Sequence, residues 1–520
     1  MAEPEQDPLA TTSGWGRWRW PVTILVVGSV VLGVVLRFVS RSPLWLDETL
    51  SVNIARLPLG DIPEALRHDG HPPLYYWLLH GWMAVFGEGS TAVRAFSGLW
   101  GLALFPLVWV AGRRLGGRRV AVYAVALLAL SPYAIRYASE TRMYAMVSVL
   151  AVAGWLLADD ALRSPRPLRL AALAVTVGLL VWTHYWAIWF LGAAVLGLAV
   201  HGWRARKEGR AHDLRATLLV LGAMVVGGLS FVPWLPSLLY QGAHTGTPWA
   251  RPVRPTEMVS FTLSDFGGGP RPEGELLGWM LSLALVVGLF GVARDRLHID
   301  LDVRTRPVGR PFAILIAGTL ALACVVGYAT GATYATRYAA VFFPFFLLLA
   351  ALGVDQLRSR PVVVGTLAVL LGFGAVVGAL NVTEDRSDAR RSAEAIEAAG
   401  EPGDLVVYCP DQLGPSTSRL LGDGFDQVTF PELARPDLVD WVDYKERLRA
   451  VAPEDFARQV LERAGDRQIF FVYSTNYRTH QDLCPAIYNA LGVERVPEVL
   501  TQPSDAYEWA SVVRFTPRTP

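Results

Sequence analysis

The chain has 520 residues, of which 52% are apolar and 18% charged, a balance that agrees with a membrane protein. A net charge of +1 excludes bulk electrostatic attraction to nucleic acid or to anionic lipid, while 18 Trp and 17 Tyr are enough to stock interfacial belts. Lysine occurs only at Lys207 and Lys445; the reliance on Arg points to a GC-rich, bacterial genome and not to a mechanism.

Apolar runs recur at 21–39, 92–112, 119–134, 142–158, 168–183, 185–202, 216–238, 276–293, 311–330, 338–353 and 361–380. A run of roughly twenty such residues crosses a bilayer. The first is too long for a signal peptide and lacks a small-residue cleavage site, so it reads as a retained anchor after a tail at 1–20. Basic clusters mark every second connection: Arg17/Arg19, Arg113 to Arg119, Arg163 to Arg169, Arg204 to Arg215, Arg294 to Arg310, and Arg358/Arg360. By the positive-inside rule these connections are cytoplasmic, which predicts about eleven spans in the cell membrane, the N-terminus inside and the C-terminus outside.

On that map Asp47-Glu48, His71, Glu140 with Arg142, His184-Tyr185, Trp249 to Arg254 and Arg337-Tyr338 fall at the outer face. The first outer loop, 40–91, has helical texture. Residues 44–55 are amphipathic, Asp61 is placed to cap a short helix with Pro63 in its first turn, and Pro72-Pro73 suit the start of an interfacial helix. The outer loop 240–275 is rich in Gly and Pro and reads as a functional lid or as a disordered tether.

From about residue 385 strands and helices alternate. Residues 404–409, 427–430, 468–473 and 509–515 read as strands; 386–399, 415–421, 453–464 and 479–491 read as helices. This predicts an extracytoplasmic α/β domain over 385–520 with a largely parallel sheet, following the transmembrane domain at 21–384. It has no G-x-G-x-x-G, P-loop, C-x-x-C or H-E-x-x-H, so neither a nucleotide nor a metal site is expected there. Cys409 and Cys484 could pair if the domain lies outside.

Four segments occur in a telling order: W-L-D-E at 45–48, H-P-P-L-Y-Y-W at 71–77, S-P-Y-A-I-R-Y-A-S-E-T-R-M-Y at 131–144, and A-T-R-Y-A-A-V-F-F-P-F-F at 335–346. Together they resemble the family 39 glycosyltransferases, the dolichyl-phosphate-mannose–protein mannosyltransferase-like branch of the GT-C superfamily, to which the aminoarabinose lipid A transferases are related. The resemblance spans roughly residues 15–355. It implies a polytopic GT-C fold and transfer of one sugar, mannose or another, from a polyprenyl-phosphate donor to a protein, polysaccharide or lipid acceptor.

The residue types suit that chemistry. An attacking hydroxyl must lose a proton, and Asp47 matches the position of the family's general base. Glu48 is a second acceptor-orienting carboxylate or the partner of a nearby Arg. With a base and no nucleophile opposite, displacement inverts the anomeric carbon. The departing phosphate needs fixed donors, and Arg337, Arg142 and Arg136 offer planar forks for its oxygens. His71 stands where relatives of the lipid A type have a Lys, and an ordinary His is mostly neutral at pH 7. Tyr76 and Tyr338 can add neutral hydrogen bonds. Glu140, Tyr144, His184, Trp249 and Arg251 are candidates for acceptor or sugar contacts, with Asp265 behind them.

Each role has a structural alternative. Asp47 could cap a helix, Glu140 could pair with Arg136 one helical turn away, Arg337 could reach the headgroups, and His184 could belong to an aromatic belt. The resemblance implies that no metal is required; the two carboxylates could hold Mg²⁺ or Mn²⁺, but no clear third ligand joins them. A glycan ligase would show a similar lipid-phosphate site. A transporter would put its ionisable groups near mid-bilayer and often repeats its halves, and neither trait is visible.

Overall fold

The structure, a computed structural model, describes residues 16–245, 253–331, 333–475, 477–480 and 482–518. Each apolar run is helical. The first is α1 (Gly16–Leu36). The 40–91 segment forms α2 (Leu46–Arg56), α3 (Ile62–Asp69) and α4 (Leu74–Phe86). Pro73 directly precedes α4, as the Pro pair foretells, but Asp61 makes no side-chain cap bond at α3 because its own backbone is already helical.

The next two runs join in α5 (Ser90–Ala129), which breaks at Gly116-Gly117. Gly117 holds φ +79°, a backbone that other residues adopt only under strain. Then come α6 (Pro132–Ala138), α7 (Tyr144–Arg163), α8 (Pro167–Thr183), α9 (Trp186–Lys207), α10 (Ala211–Leu229), α11 (Leu235–His244), α12 (Pro255–Gly267) and α13 (Pro272–Phe290). A small hairpin of β1 (Gly291–Ala293) and β2 (Ile299–Leu301) leads to α14 (Arg310–Thr330), α15 (Phe343–Val354) and α16 (Arg360–Thr383). Among the described residues seven helical stretches are long and apolar enough to cross a membrane, with three shorter apolar helices beside them. The chain is a multi-pass membrane protein.

Every residue of α15 is buried, as expected of a helix that is apolar all round. It lies against α13 so closely that a Cβ on Gly353 would come within 1.7 Å of the Ala284 carbonyl oxygen. Lipid-facing apolar surface is left on the outer helices, for example at Ile24, Val175, Val226 and Val325.

The loop reading of 240–275 needs correction. Pro255–Gly267 is a helix, opened by Pro255 and by Glu257, whose Oε2 accepts the Arg254 N–H at 3.0 Å; Met258 and Phe266 bury its apolar side. Trp249 and Arg251 lie outside the described residues.

Beyond Thr383 the chain forms α17 (Ala389–Ala399), β3 (Leu405–Cys409), α18 (Gly414–Ser418), β4 (Asp426–Thr429), α19 (Tyr444–Arg449), α20 (Pro453–Ala464), β5 (Ile469–Tyr473), α21 (Leu483–Glu494), β6 (Arg495–Thr501) and β7 (Ser511–Pro517). The strand order is β4-β3-β5-β7-β6. Only β3 runs parallel to its two neighbours; β7 is antiparallel to both β5 and β6. The sheet is therefore mixed, not largely parallel. The difference lies in β6, an edge strand carrying Pro497 and Glu498, which has no apolar alternation to reveal it. Cys409 and Cys484 are disulfide-bonded, tying the end of β3 to α21.

The sheet domain sits on the α2 region. Trp45, Leu46 and Leu50 of the α2 region belong to its core, alongside Val407, Phe430 and Phe471. Polar bonds reinforce the seat: Asn53 Nδ2 donates to the Asp437 carbonyl at 2.7 Å, and Glu508 Oε1 accepts the Leu46 N–H at 2.9 Å.

Candidate active site

Asp47 and Glu48 open α2, and one helical step turns them about 100° apart. Glu48 points inward and is fully buried. Its two oxygens accept from Arg94 Nε (2.8 Å) and Nη2 (2.6 Å), and Oε1 also accepts the Thr141 N–H at 2.9 Å. Arg94 spends its other donors on the carbonyls of Ser42 and Pro43. Burial pushes the Glu48 carboxyl up, but the adjoining Arg94 guanidinium outweighs it and holds the group below its ordinary range. Glu48 thus fastens α2 to α5 and to the turn between α6 and α7. Of the two roles read for it, the structure displays the pairing with Arg.

Asp47 faces the other way. Its Oδ2 lies 3.2 Å from Arg337 Nη1, with the two side chains 16% and 21% exposed. Arg337 stands in the short 3-10 segment Thr336–Val341 ahead of α15. Arg142, from the α6–α7 turn, passes beneath. Its Nη1 donates to the Asp47 carbonyl (3.2 Å) and to Ser51 Oγ (3.0 Å), and reaches Tyr76 Oη at 3.5 Å.

Arg142 Nη2 is 3.0 Å from His71 Nε2. A guanidinium only donates, so Nε2 accepts and the ring proton sits on Nδ1, which donates to Asp69 Oδ2 at 2.8 Å. In this arrangement His71 bridges Asp69 and Arg142 and orients the guanidinium. Burial works against the Asp69 charge, yet His71 and Arg142 hold its carboxyl below the usual range.

An aromatic wall completes the cluster. The His184 ring lies 5.2 Å from that of Tyr338, 5.7 Å from Tyr144 and 6.4 Å from His71, and His184 Nδ1 accepts the Trp186 N–H. Four buried polar atoms here have no hydrogen-bond partner: Asp47 Oδ2, Arg142 Nε, Arg337 Nε and the Tyr144 hydroxyl. The Asp47–Arg337 approach is an ion pair without hydrogen-bond alignment, so both keep capacity to spare. Buried polar groups are nearly always paired, and four orphans side by side mark a place built for a polar ligand.

Glu140 belongs to a neighbouring network. It accepts from Arg136 Nε at 3.2 Å and pairs with Arg386 Nη1 at 2.6 Å, while Arg136 also reaches Asp265 at 3.7 Å. The helical pairing of Arg136 with Glu140 is present, and Arg386 comes from the segment entering the sheet domain. Sequence reasoning missed Asp69, Arg94, Arg386 and Glu508. Asp69 alone had a local signal, two residues before His71. Among the described residues no three His, Cys, Asp or Glu side chains are arranged to hold a metal, and Arg94 already takes both Glu48 oxygens.

A family model described as dolichyl-phosphate-mannose-protein mannosyltransferase matches residues 70–235. The fold is similar to that of ArnT from Cupriavidus metallidurans in the apo state: TM-score 0.60, 15% identity, 95% of this chain and 97% of that one covered. The same protein bound to undecaprenyl phosphate gives a TM-score of 0.55 at 16% identity, with the same coverage of 95% and 97%. No curated protein sequence matches the chain. The chain has the GT-C fold.

Proposed function

We propose that this GT-C chain is an inverting glycosyltransferase that moves a single sugar from a polyprenyl-phosphate donor to a hydroxyl of an extracytoplasmic acceptor. The observation that carries the reading is the convergence of one carboxylate, Asp47, with two guanidiniums, Arg337 and Arg142, each holding an unspent buried polar atom. The ligand bound to the similar ArnT structure, undecaprenyl phosphate, supports the donor class, and the matching mannosyltransferase family supports mannose as the first sugar to test. The alternating basic loops and the Cys409–Cys484 disulfide support an outward-facing site.

In this reading the donor phosphate lies between Arg337 and Arg142, whose forks match its oxygens. Asp69 and His71 keep Arg142 oriented. Once phosphate engages Arg337, Asp47 is released from its ion pair and turns to the acceptor hydroxyl. The acceptor oxygen bonds to the anomeric carbon as the bond from that carbon to the phosphate oxygen breaks. The hydroxyl proton passes to Asp47, and the bonding electrons leave with polyprenyl phosphate. With no nucleophile on the opposite face the carbon inverts. The arginines match the charge that grows on the leaving phosphate.

The test uses membranes containing the protein and radiolabelled polyprenyl-phosphate mannose. Wild type should transfer the label or release it to water. Asp47→Asn should lose about 10²–10⁴-fold, the usual contribution of a general base, while still retaining the lipid. Equal turnover by Asp47→Asn would sink the assignment.

A further inference from the structure

At the end of the bundle away from Asp47, helices α7, α8, α9 and α14 stand around a cavity of about 360 Å³. Its walls are apolar, with Leu150, Trp155, Leu180 and Phe190 among them. It exists because the facing positions are small: Gly154 on α7, and Ala194 and Gly197 on α9. The mouth is different. His201 and Arg204 from the last turns of α9 and Arg310 from the start of α14 rim it.

The two arginines are spare, whereas their neighbours are not. Arg114 pairs with Asp159 and Asp160, Arg163 pairs with Asp159, and Arg210 is held by Glu208 and Asp213. Asp159, the one carboxylate at the mouth, is therefore already engaged. Arg204 has no side-chain partner among the described residues, and Arg310 uses only Nε, donating to Thr305 O at 2.9 Å and Thr305 Oγ1 at 3.1 Å. An apolar chamber with uncompensated guanidiniums at its entrance matches an amphiphile carrying an anionic head.

The donor lipid does not fit that description. α9 starts at Trp186, whose N–H meets His184 in the candidate site, and Arg204 lies eighteen residues further on, about 27 Å along the helix axis. A phosphate held by Arg337 and Arg142 leaves only hydrocarbon for this depth, and hydrocarbon has no use for the arginines at the mouth. We propose that the chamber binds an anionic phospholipid from the leaflet opposite the Asp47 face, one acyl chain between α7, α8, α9 and α14 and the phosphate on Arg204 and Arg310. This lipid fills the gap between α9 and α14, whose other ends lead to Trp186 and to the Arg337 segment. Setting the donor lipid aside rests on the glycosyl-transfer reading; the chamber and its arginines stand without it.

The full chain, purified and stripped of lipid in mild detergent, is titrated with dioleoyl-phosphatidylglycerol or dioleoyl-phosphatidylcholine. Native mass spectrometry reads retention and thermal unfolding reads stabilisation. Wild type should keep one phosphatidylglycerol in preference to phosphatidylcholine and melt higher with it. The exposed double change Arg204→Gln/Arg310→Gln should fold normally and weaken phosphatidylglycerol about 30-fold, at roughly 1 kcal/mol per surface Arg. Ala194→Leu, which fills the chamber and leaves both arginines, should abolish retention of that single lipid. Equal retention of the two phospholipids by wild type would overturn the proposal, as would undiminished phosphatidylglycerol binding in the double variant. Displacement of the bound phospholipid by polyprenyl phosphate at equal concentration would hand the chamber to the donor chain and overturn it as well.

Discussion

Removing Arg94 tests the idea that Glu48 anchors the helix that carries Asp47. In Arg94→Met the Glu48 carboxylate, fully buried, keeps only the Thr141 N–H, having lost both guanidinium bonds of 2.8 and 2.6 Å. Leaving one member of a buried pair uncompensated costs about 3–5 kcal/mol. The loss must also depend on pH. In wild type the Glu48 carboxyl is held below its ordinary range, so its contribution is present above the unfolded value and fades as pH falls through the folded one. In the variant burial acts unopposed by Arg94 and pushes the same carboxyl up; that stability is present in acid and lost as pH rises. The two curves should converge on acidification, and Arg94→Met/Glu48→Gln should be more stable than Arg94→Met at pH 7.5. The assay is denaturant unfolding in detergent, followed by Trp fluorescence from pH 5 to 8. A deficit below about 1 kcal/mol, or one that stays constant with pH, would refute the reasoning.

Other expectations are more local. His71→Gln, whose amide can accept from Arg142 and donate to Asp69, should keep most donor affinity. Asp69→Ala, which leaves His71 Nδ1 without its acceptor, should raise the donor KM about tenfold or more, at roughly 1.5 kcal/mol for a hydrogen bond to a charged group. The Glu508 carboxyl is pushed up to about 8, chiefly by burial, with Asp47 adding to the rise. Its contribution is complete below about pH 4.5 and lost as pH passes about 8, at up to about 1.4 kcal/mol per pH unit, so wild type should lose stability relative to Glu508→Gln across that window in thermal unfolding. Changing Cys409 and Cys484 together to Ala should cost the sheet domain roughly 2–4 kcal/mol for a 75-residue loop, read as a lower melting temperature that reductant no longer shifts.

The helical part was legible because its signal is local. Runs of apolar residues mark membrane-length helices without knowledge of any contact, and the order of Asp47, His71, Arg142 and Arg337 along the chain pointed to residues that do meet. What stayed hidden depends on partners far along the chain. Nothing near Glu48 announces that Arg94 will take it, and nothing near Glu140 announces Arg386. Helix α12 was obscured by the Gly and Pro on either side of it, and β6 by a polar edge sequence interrupted by Pro497. Lone acidic residues were readable as chemistry; which of them was spent on holding the scaffold was decided by burial, which no short motif encodes.

The bond from Leu46 to Glu508 links residues 462 positions apart. During synthesis α2 is made early, but Glu508, the acceptor for its first N–H, and Tyr507, whose ring packs edge-on against Trp45, emerge only after β6. A ribosome stalled anywhere before residue 508 leaves a chain whose α2 lacks the acceptor for its first N–H. The cluster around Asp47 is thus left without that tie until translation is nearly over, and a truncated product would occupy the bilayer with the start of its α2 helix unfastened.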